Sequence, residues 1–380
     1  MATRAPKVPK KERQETSDAV ERKAEALAEQ IRRSKHFIVF TGAGVSTSAG
    51  IADFRGPKGV WTLEAQGRED AIESGDTLQA IPTATHMALV ELQNQGILKY
   101  LVSQNCDGLH RKSGIVPDHI SELHGNSNLE YCKDCGKQYL RDFYAVAPDD
   151  MPATYHETGR KCALCGGILL DTIINFGELL PKEPLKLARQ HARKADLCLV
   201  LGSSLTVPPA CNIPETAGQS HKASLVICNL QDTPLDELAE IRIHAKTDEL
   251  MVCLMGKLEL PIPSFALRRR LVVEGATSTG GRFEVKVRGV DVDGTPASFL
   301  QSVKCANNRR VVRAEPFDID FRSCPEAGTE VNLELQFMGH YGEPNLKMKY
   351  TYWARESEET VYGLEYDPAT GHWVIHQEDV

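Results

Sequence analysis

The first clear periodicity runs from Asp18 to Arg33, where Val20, Ala24, Leu27, Ala28 and Ile31 recur at three- and four-residue intervals. That spacing lines one face of a helix, and Thr16 or Ser17 is placed to cap it. Phe37–Thr41 then reads as a short buried strand, apolar and rich in β-favouring residues. The same grammar repeats: a helix over Pro82–Gly96 with Thr83 near its start, a strand over Leu98–Ser103, a helix over Pro184–Lys194, strands over Asp196–Leu201 and Ser224–Cys228, a shorter one over Ile241–Ala245, and a helix from Asp248. Strands alternating with helices predict an α/β domain on a Rossmann-like parallel sheet, spanning 17–265. After Pro261-Ile262-Pro263 the pattern changes. Phe283–Val287, Val331–Phe337 and Lys347–Trp353 alternate apolar with polar positions, as half-buried strands do. A β-rich, sandwich-like domain is expected over 271–355, followed by an acidic segment over 356–380. Residues 1–16 are polar and basic and predict a disordered tail.

The composition, 41% hydrophobic and 25% charged over 380 residues, is that of a globular protein of two or three domains. There is no apolar run long enough for a membrane span and no secretory signal at the start. A net charge of −8 argues against a whole-surface nucleic-acid binder, and no nucleic-acid motif is present. Charge is uneven: Arg4, Lys7, Lys10, Lys11 and Arg13 crowd the start, and 356–380 holds no Lys or Arg. Lys7–Arg13 reads either as a weak nuclear-import patch or as a solvated tail. The eleven cysteines include two CxxC pairs, which suggest metal or redox use in preference to a disulfide framework.

Candidate chemistry gathers at strand ends. Gly42-Ala43-Gly44 follows the first strand, where glycines allow a sharp turn and close approach of a ligand. Ser46, Thr47 and Ser48 come next, as caps of a following helix or donors to phosphate. Together these read as a dinucleotide pyrophosphate cradle, with Thr47 where dehydrogenases carry a third glycine. Asp53-Phe54-Arg55 supplies a carboxylate, a ring and a permanent cation. Gln104-Asn105-Cys106-Asp107 ends the second strand, where parallel sheets place ligands; taken alone it could be an Asn/Asp/Gly turn. Gly202-Ser203-Ser204 forms a small-residue floor, and Asn229-Leu230-Gln231 stands where dehydrogenases place a ribose-binding acid. His124 can act as a base near neutrality, although a lone histidine is more often structural. Cys132, Cys135, Cys162 and Cys165 have the spacing of a closed tetrahedral zinc site, structural because four thiolates leave no open position. The zinc-binding module is expected over about 127–170, with Asp149, Asp150 and Pro152 in a loop.

Four of these stretches resemble the sirtuins, the NAD-dependent protein-lysine deacylases: T-G-A-G-V-S-T-S-A-G-I-A-D-F-R from Thr41, Q-N-C-D-G-L-H from Gln104, E-L-H-G-N from Glu122, and the paired CxxC knuckles. The resemblance covers roughly Arg32 to Pro263, with Gly56–Thr62 and the short Trp61–Pro82 segment looking like class IV, the mostly nuclear branch. It implies NAD as co-substrate, zinc as structural metal, and His124, Asn105 and Asp107 as catalytic residues, His124 being the general base. It adds Trp61, Gln104 and Thr247 to the NAD contacts and places Phe176-Gly177-Glu178 beside the substrate peptide, opposite a Leu205–Pro209 loop. The implied partners are acyl-lysine proteins, histones or other nuclear proteins among them, and the implied location is the nucleus, with the cytoplasm as the alternative. A mono-ADP-ribosyltransferase using the same pocket, or a non-catalytic NAD or ADP-ribose reader, are the alternatives. The β-rich domain resembles no family. It is expected to fold independently with few contacts across its boundary and to bind a basic partner, with Cys305 and Cys324 as buried thiols.

Overall fold

The structure is a computed structural model that describes residues 10–148, 150–152, 154–277, 282–307, 309–321, 323–353 and 358–378. It comprises two compact units, one of residues 1–127, 149–156 and 172–265, the other of 128–148, 157–171 and 266–380. No helix among the described residues is long and apolar enough to cross a membrane.

The first unit is built on six parallel strands, in spatial order Ile241–Ile243, Ser224–Cys228, Leu197–Leu201, Phe37–Thr41, Leu98–Ser103 and Ile120–Glu122. Its two central strands, Phe37–Thr41 and Leu197–Leu201, are buried at every position because both faces are covered. Side chains alternate between faces: Phe37 and Val39 enter one core with the helices Ser17–Arg33, Ala84–Asn94 and Thr247–Lys257, and Ile38 and Phe40 enter another with Lys182–Lys194 and Asn212–Gly218. Val20, Ala24, Leu27, Ala28 and Ile31, the positions that betrayed the first helix, are its buried face. Thr16 is the N-cap residue of that helix, but its side chain makes no capping bond. Thr83 does cap: its hydroxyl accepts from His86 N, and His86 Nδ1 accepts in return from Thr83 N at 3.3 Å. The chain runs outward from the first strand through Leu98–Ser103 to Ile120–Glu122, then returns to its other side at Leu197–Leu201 and runs outward the opposite way, so the sheet order reverses between Phe37–Thr41 and Leu197–Leu201. A crevice at the carboxyl ends beside such a switch point is where open α/β sheets bind ligands.

No α-helix begins directly after Thr41. Two short 3₁₀ turns, Ala43–Val45 and Thr47–Ala49, take its place, with no side-chain cap. Residues 1–9 of the expected disordered tail lie outside the described residues. Lys10 to Glu15 are held by the sheet: Arg13 N donates to Leu230 O at 2.8 Å and Glu15 N to His244 O at 2.8 Å.

In the second unit, five strands run in the order Ala297–Ser298, Gln138–Arg141, Leu129–Cys132, Ile168–Asp171 and Glu157–Lys161. The four-cysteine cluster sits among the last four. The same unit holds a sandwich of two further sheets. One is Phe317–Phe321, Phe283–Val290, Leu267–Thr277, Glu358–Asp367 and His372–Glu378; the other is Arg310–Val312, Leu300–Cys305, Thr329–Phe337 and Leu346–Tyr352. Leu271, Val285, Val303, Leu333, Tyr350 and Leu364 lie in their common core.

Two expectations about this part meet a different arrangement. Ala297–Ser298 pairs in parallel with Gln138–Arg141, Leu140 N donates to Pro296 O at 2.9 Å, and Arg269 pairs with Asp142 at 2.8 Å. The β-rich region therefore completes the sheet of the cysteine module, and contacts between the two are not few. The acidic segment forms two sandwich strands, because Val361, Tyr362, Leu364 and Tyr366 among its acids are buried. Cys305 is buried as expected; Cys324 is exposed. Asp149 lies outside the described residues.

Candidate active site

The carboxyl ends of the parallel strands surround a cavity of about 600 Å³. Its floor is where the turn after Phe37–Thr41 meets the turn after Leu197–Leu201. A Cβ on Gly42 would lie 2.7 Å from Gly202 O, and one on Gly44 would lie 2.7 Å from Gly202 Cα. Only glycine permits that backbone contact, which leaves a surface without side chains for a ligand.

Asp53, Phe54 and Arg55 form one wall. Gly56 N donates to Asp53 Oδ1 at 2.9 Å. A Cβ at Gly56 or Gly59 would each come within 2.4 Å of that carboxylate, which explains both glycines of the G-P-K-G run. Burial raises the Asp53 pKa, opposed by the Gly56 bond and by Arg55. The Arg55 guanidinium lies 4.4 Å over the Trp61 ring, a cation–π contact. Its Nη2 is buried and meets no hydrogen-bond partner among the described residues, and burial lowers its pKa. Trp61 also packs against Phe54 at 4.5 Å and Phe176 at 5.2 Å between ring centres, and the latter two rings are exposed.

The opposite wall is a relay of hydrogen bonds. Gln104 Nε2 donates to Ser203 Oγ at 2.8 Å, and Asn105 Nδ2 donates to Gly42 O at 3.1 Å. His124 Nδ1 lies 3.0 Å from Gln104 O. A carbonyl only accepts, so Nδ1 carries the hydrogen and Nε2 is the basic nitrogen. Burial lowers the His124 pKa, the Gln104 carbonyl opposes this, and Arg55 adds to it. The imidazole is thereby kept neutral near pH 7.

The cavity brings together Gly42, Ala43, Gly44, Thr47, Asp53, Phe54, Arg55, Trp61, Gln104, Asn105, His124, Phe176, Gly177, Glu178, Gly202, Ser203, Ser204, Asn229, Leu230, Gln231 and Thr247. Ser46 and Asp107 stand behind the wall. Ser46 Oγ donates to Asp107 Oδ2 at 2.6 Å and lies 3.4 Å from Asn105 Nδ2. Asp107 also accepts from Leu109 N at 2.9 Å. These two residues brace Asn105, and the Ser46 hydroxyl is engaged inside the protein instead of facing a phosphate. Sequence reasoning missed Glu12, Lys246 and Asp248, which line the same cavity. Lys246 and Asp248 adjoin Thr247 at a strand-to-helix junction, a signal that was available; Glu12 carried none.

The residues fit the groups their chemistry suggests. Glycine turns beside a guanidinium whose buried Nη2 meets no hydrogen-bond partner among the described residues suit a dinucleotide pyrophosphate. In the second unit, the sulfurs of Cys132, Cys135, Cys162 and Cys165 all lie within 4.8 Å of one another. Cys132 and Cys165 are 3.5 Å apart, and Cys135 and Cys162 3.6 Å. Tetrahedral zinc–thiolate bonds of about 2.3 Å put sulfurs about 3.8 Å apart, so the cluster is set for zinc. Tyr139 Oη lies 3.1 Å from Cys162 Sγ, an outer-shell contact.

A parallel sheet with a glycine-floored cavity at its switch point, a histidine in the same cavity and a four-cysteine cluster spaced for zinc are the features of a nucleotide-binding enzyme with a structural metal site. The sequence profile of the Sir2 family matches residues 69–209. NAD-dependent protein deacetylase SRT1 of Arabidopsis thaliana is 39% identical over 345 residues, covering 83% of this chain and 72% of that protein. Sirtuin-7 of Homo sapiens is 42% identical over 253 residues, covering 64% and 62%. Sirt6 of Drosophila melanogaster is 39% identical over 256 residues, covering 65% and 79%. A solved Sir2 structure with a deacetylated p53 peptide and 3′-O-acetyl ADP ribose is 29% identical with a TM-score of 0.50, covering 62% of this chain and 99% of that one. The chain belongs to the Sir2 family, the sirtuins.

Proposed function

We propose that this protein removes acyl groups from protein lysines at the expense of NAD, consuming one water and releasing free lysine, nicotinamide and O-acyl-ADP-ribose. The observation that carries this reading is His124, a neutral imidazole with its Nδ1–H fixed by Gln104 O, in one cavity with the glycine cradle and the unpartnered Arg55 Nη2. Bound NAD supplies an electrophilic ribose carbon and a leaving nicotinamide.

The chain's own residues do the rest. The Gly42–Gly44 and Gly202–Ser204 turns hold the pyrophosphate through backbone N–H groups. Arg55 supplies charge, and Phe54, Trp61 and Phe176 keep water from the reacting carbon. Asn105, braced by Ser46 and Asp107, orients the nicotinamide end. His124 Nε2 takes a proton from a ribose hydroxyl. The peptide enters between Phe176–Glu178 and the Leu205–Pro209 loop and pairs mainly through its backbone; Glu178 is held there by Asn175 N at 2.7 Å and His156 at 2.9 Å. Zinc held by the four cysteines contributes folding energy.

Histones and other nuclear proteins are the substrates favoured, and the nucleus the location, by the likeness to sirtuin-7 and Sirt6 and by the class IV character of the Gly56–Thr62 run. The test is mass spectrometry of products from acyl-peptides of several acyl lengths, with and without NAD. NAD-dependent appearance of O-acyl-ADP-ribose equal to the lysine freed is expected. ADP-ribose transferred to protein with no lysine freed would overturn the reading in favour of a mono-ADP-ribosyltransferase.

A further inference from the structure

The N-terminal segment contributes to the cavity, and its contribution bears on which dinucleotide the site accepts. Lys10 to Glu15 cross the ends of the strands Ser224–Cys228 and Ile241–Ile243. Besides the two backbone bonds to Leu230 and His244, Gln231 Nε2 donates to Lys10 O at 2.8 Å, Lys10 Nζ donates to Asp232 O at 3.0 Å, and Arg13 pairs with Asp232 at 3.1 Å. Glu15 is tied to Lys23 at 2.6 Å. The chain is therefore pinned on both sides of Glu12, whose side chain lines the cavity at the end that also holds Asn229, Leu230, Gln231 and Lys246.

Polar capacity is unevenly spent at this end. Asn229 Nδ2 is committed to Gln231 O at 2.8 Å, and Gln231 Nε2 to Lys10 O and Arg55 O. Asp248 is occupied by Thr85 and Ser48. The Glu12 carboxylate takes no hydrogen bond from a described residue, and it is exposed at the cavity mouth. Its charged neighbours are Asp53 and Lys246. In doubly wound folds an acid at the end of this strand accepts hydrogen bonds from the adenosine ribose hydroxyls. Here the strand ends in neutral Asn229, and the acid arrives from the N-terminal segment.

We infer that Glu12 accepts the adenosine-ribose hydroxyls of NAD and makes the site reject a dinucleotide carrying a 2′-phosphate. The inference rests on the NAD-dependent reading above. A 2′-phosphate beside Glu12 would stand against Glu12 and Asp53, and the cation acting on Glu12, Lys246, is shared with it. Removing the Glu12 charge frees Lys246 for the phosphate, so selectivity should fall from both sides.

The experiment measures Kd for NAD and for NADP by calorimetry on the full chain, comparing wild type with Glu12→Gln and Glu12→Lys. Circular dichroism melts and zinc content serve as folding controls. Loss of one charge-assisted hydrogen bond at an exposed site should weaken NAD about ten-fold. NADP affinity should rise in E12Q and further in E12K, so that the NADP-to-NAD Kd ratio falls by about ten-fold or more. Wild type that binds NAD, with a ratio unchanged in folded E12Q, overturns the role of Glu12 and leaves the proposed function standing. Wild type that fails to bind NAD overturns both. E12Q, nearly isosteric, keeps the test decisive if E12K fails to fold.

Discussion

Replacing Arg141 by Ala should loosen the zinc module and the β-sandwich together. Arg141 donates to the fully buried Glu130 at 2.7 Å and to Ser298, lies 3.3 Å from Glu315, and stacks 4.8 Å from the Tyr139 ring and 5.7 Å from that of Phe143. Breaking a buried pair costs about 3–5 kcal/mol when the remaining charge has no other partner. Glu130 keeps Arg160 at 2.8 Å and Thr158 at 2.7 Å, so that full penalty does not apply. What is lost is the buried charge-assisted bond to Glu130, about 1.5–3 kcal/mol, since Ser298 keeps Glu315 as its partner. The ring contacts add about 0.5–1 kcal/mol, and the exposed Glu315 pair less than about 1 kcal/mol. The sum is about 3 kcal/mol. In a unit of roughly 150 residues each kcal/mol moves Tm by about 2–4 °C, so a fall of about 6–12 °C is expected. Scanning calorimetry with a chromophoric zinc chelator on the same ramp is the assay. Because Ala297–Ser298 is a strand of the cysteine-module sheet, zinc release should coincide with melting of the sandwich, in wild type and variant alike. A shift under about 1 °C, or zinc leaving in a transition well separated from the sandwich, would refute the reasoning.

Further outcomes follow from the same structure. His124→Tyr should lower turnover about 10²–10⁴-fold in steady-state assays with zinc content unchanged, and in wild type kcat/KM should fall with decreasing pH through an apparent pKa below 6.5, since burial lowers the His124 pKa and the neutral form is the base. Burial lowers the pKa of His86 to about 4. Its unfolded form therefore binds the extra proton as pH drops below about 6.5, and melts of the protein should lose about 2 kcal/mol per such group by pH 5, a loss that His86→Gln should reduce. Asn229→Ala, by releasing the Gln231 carbonyl it holds, should weaken NAD in calorimetry far more than acyl-peptide. Truncation after Phe265 removes the strand Ala297–Ser298 and should make zinc extractable by chelator at concentrations that leave the full chain loaded.

The parallel sheet was legible because its strands are buried on both faces, so Phe37–Thr41 is an apolar run up to its last residue and Leu98–Ser103 is interrupted only by the exposed Lys99 before its terminal Ser103, and the bounds of both agree with the structure. The glycine cradle and the knuckle cysteines were legible for a related reason: each position admits one residue type, glycine where a Cβ would strike Gly202, cysteine where a thiolate is needed. What the sequence hid depends on partners distant in the chain. Gln138–Arg141 and Glu157–Lys161 are mostly polar strands, tied by the Glu130 pairs, and the one apolar side chain they bury in the small cluster with Cys132, Cys162 and Leu169 is Tyr139. The two residues Ala297–Ser298 have no strand pattern at all; they become a strand because Leu140 and Asp142 N–H groups need acceptors at that edge. Ser46 is similar. A serine after a glycine turn signals phosphate, but Asp107, 61 residues away, claims its hydroxyl, and no local rule contains that fact. Glu12 is the sharpest case. Its surroundings in sequence are those of a solvated tail, and its place in the cavity is set by backbone bonds to Leu230 and His244, more than two hundred residues on. A composition rule averages over neighbours, whereas a cavity wall is chosen one side chain at a time by whatever the sheet edge leaves unpaired.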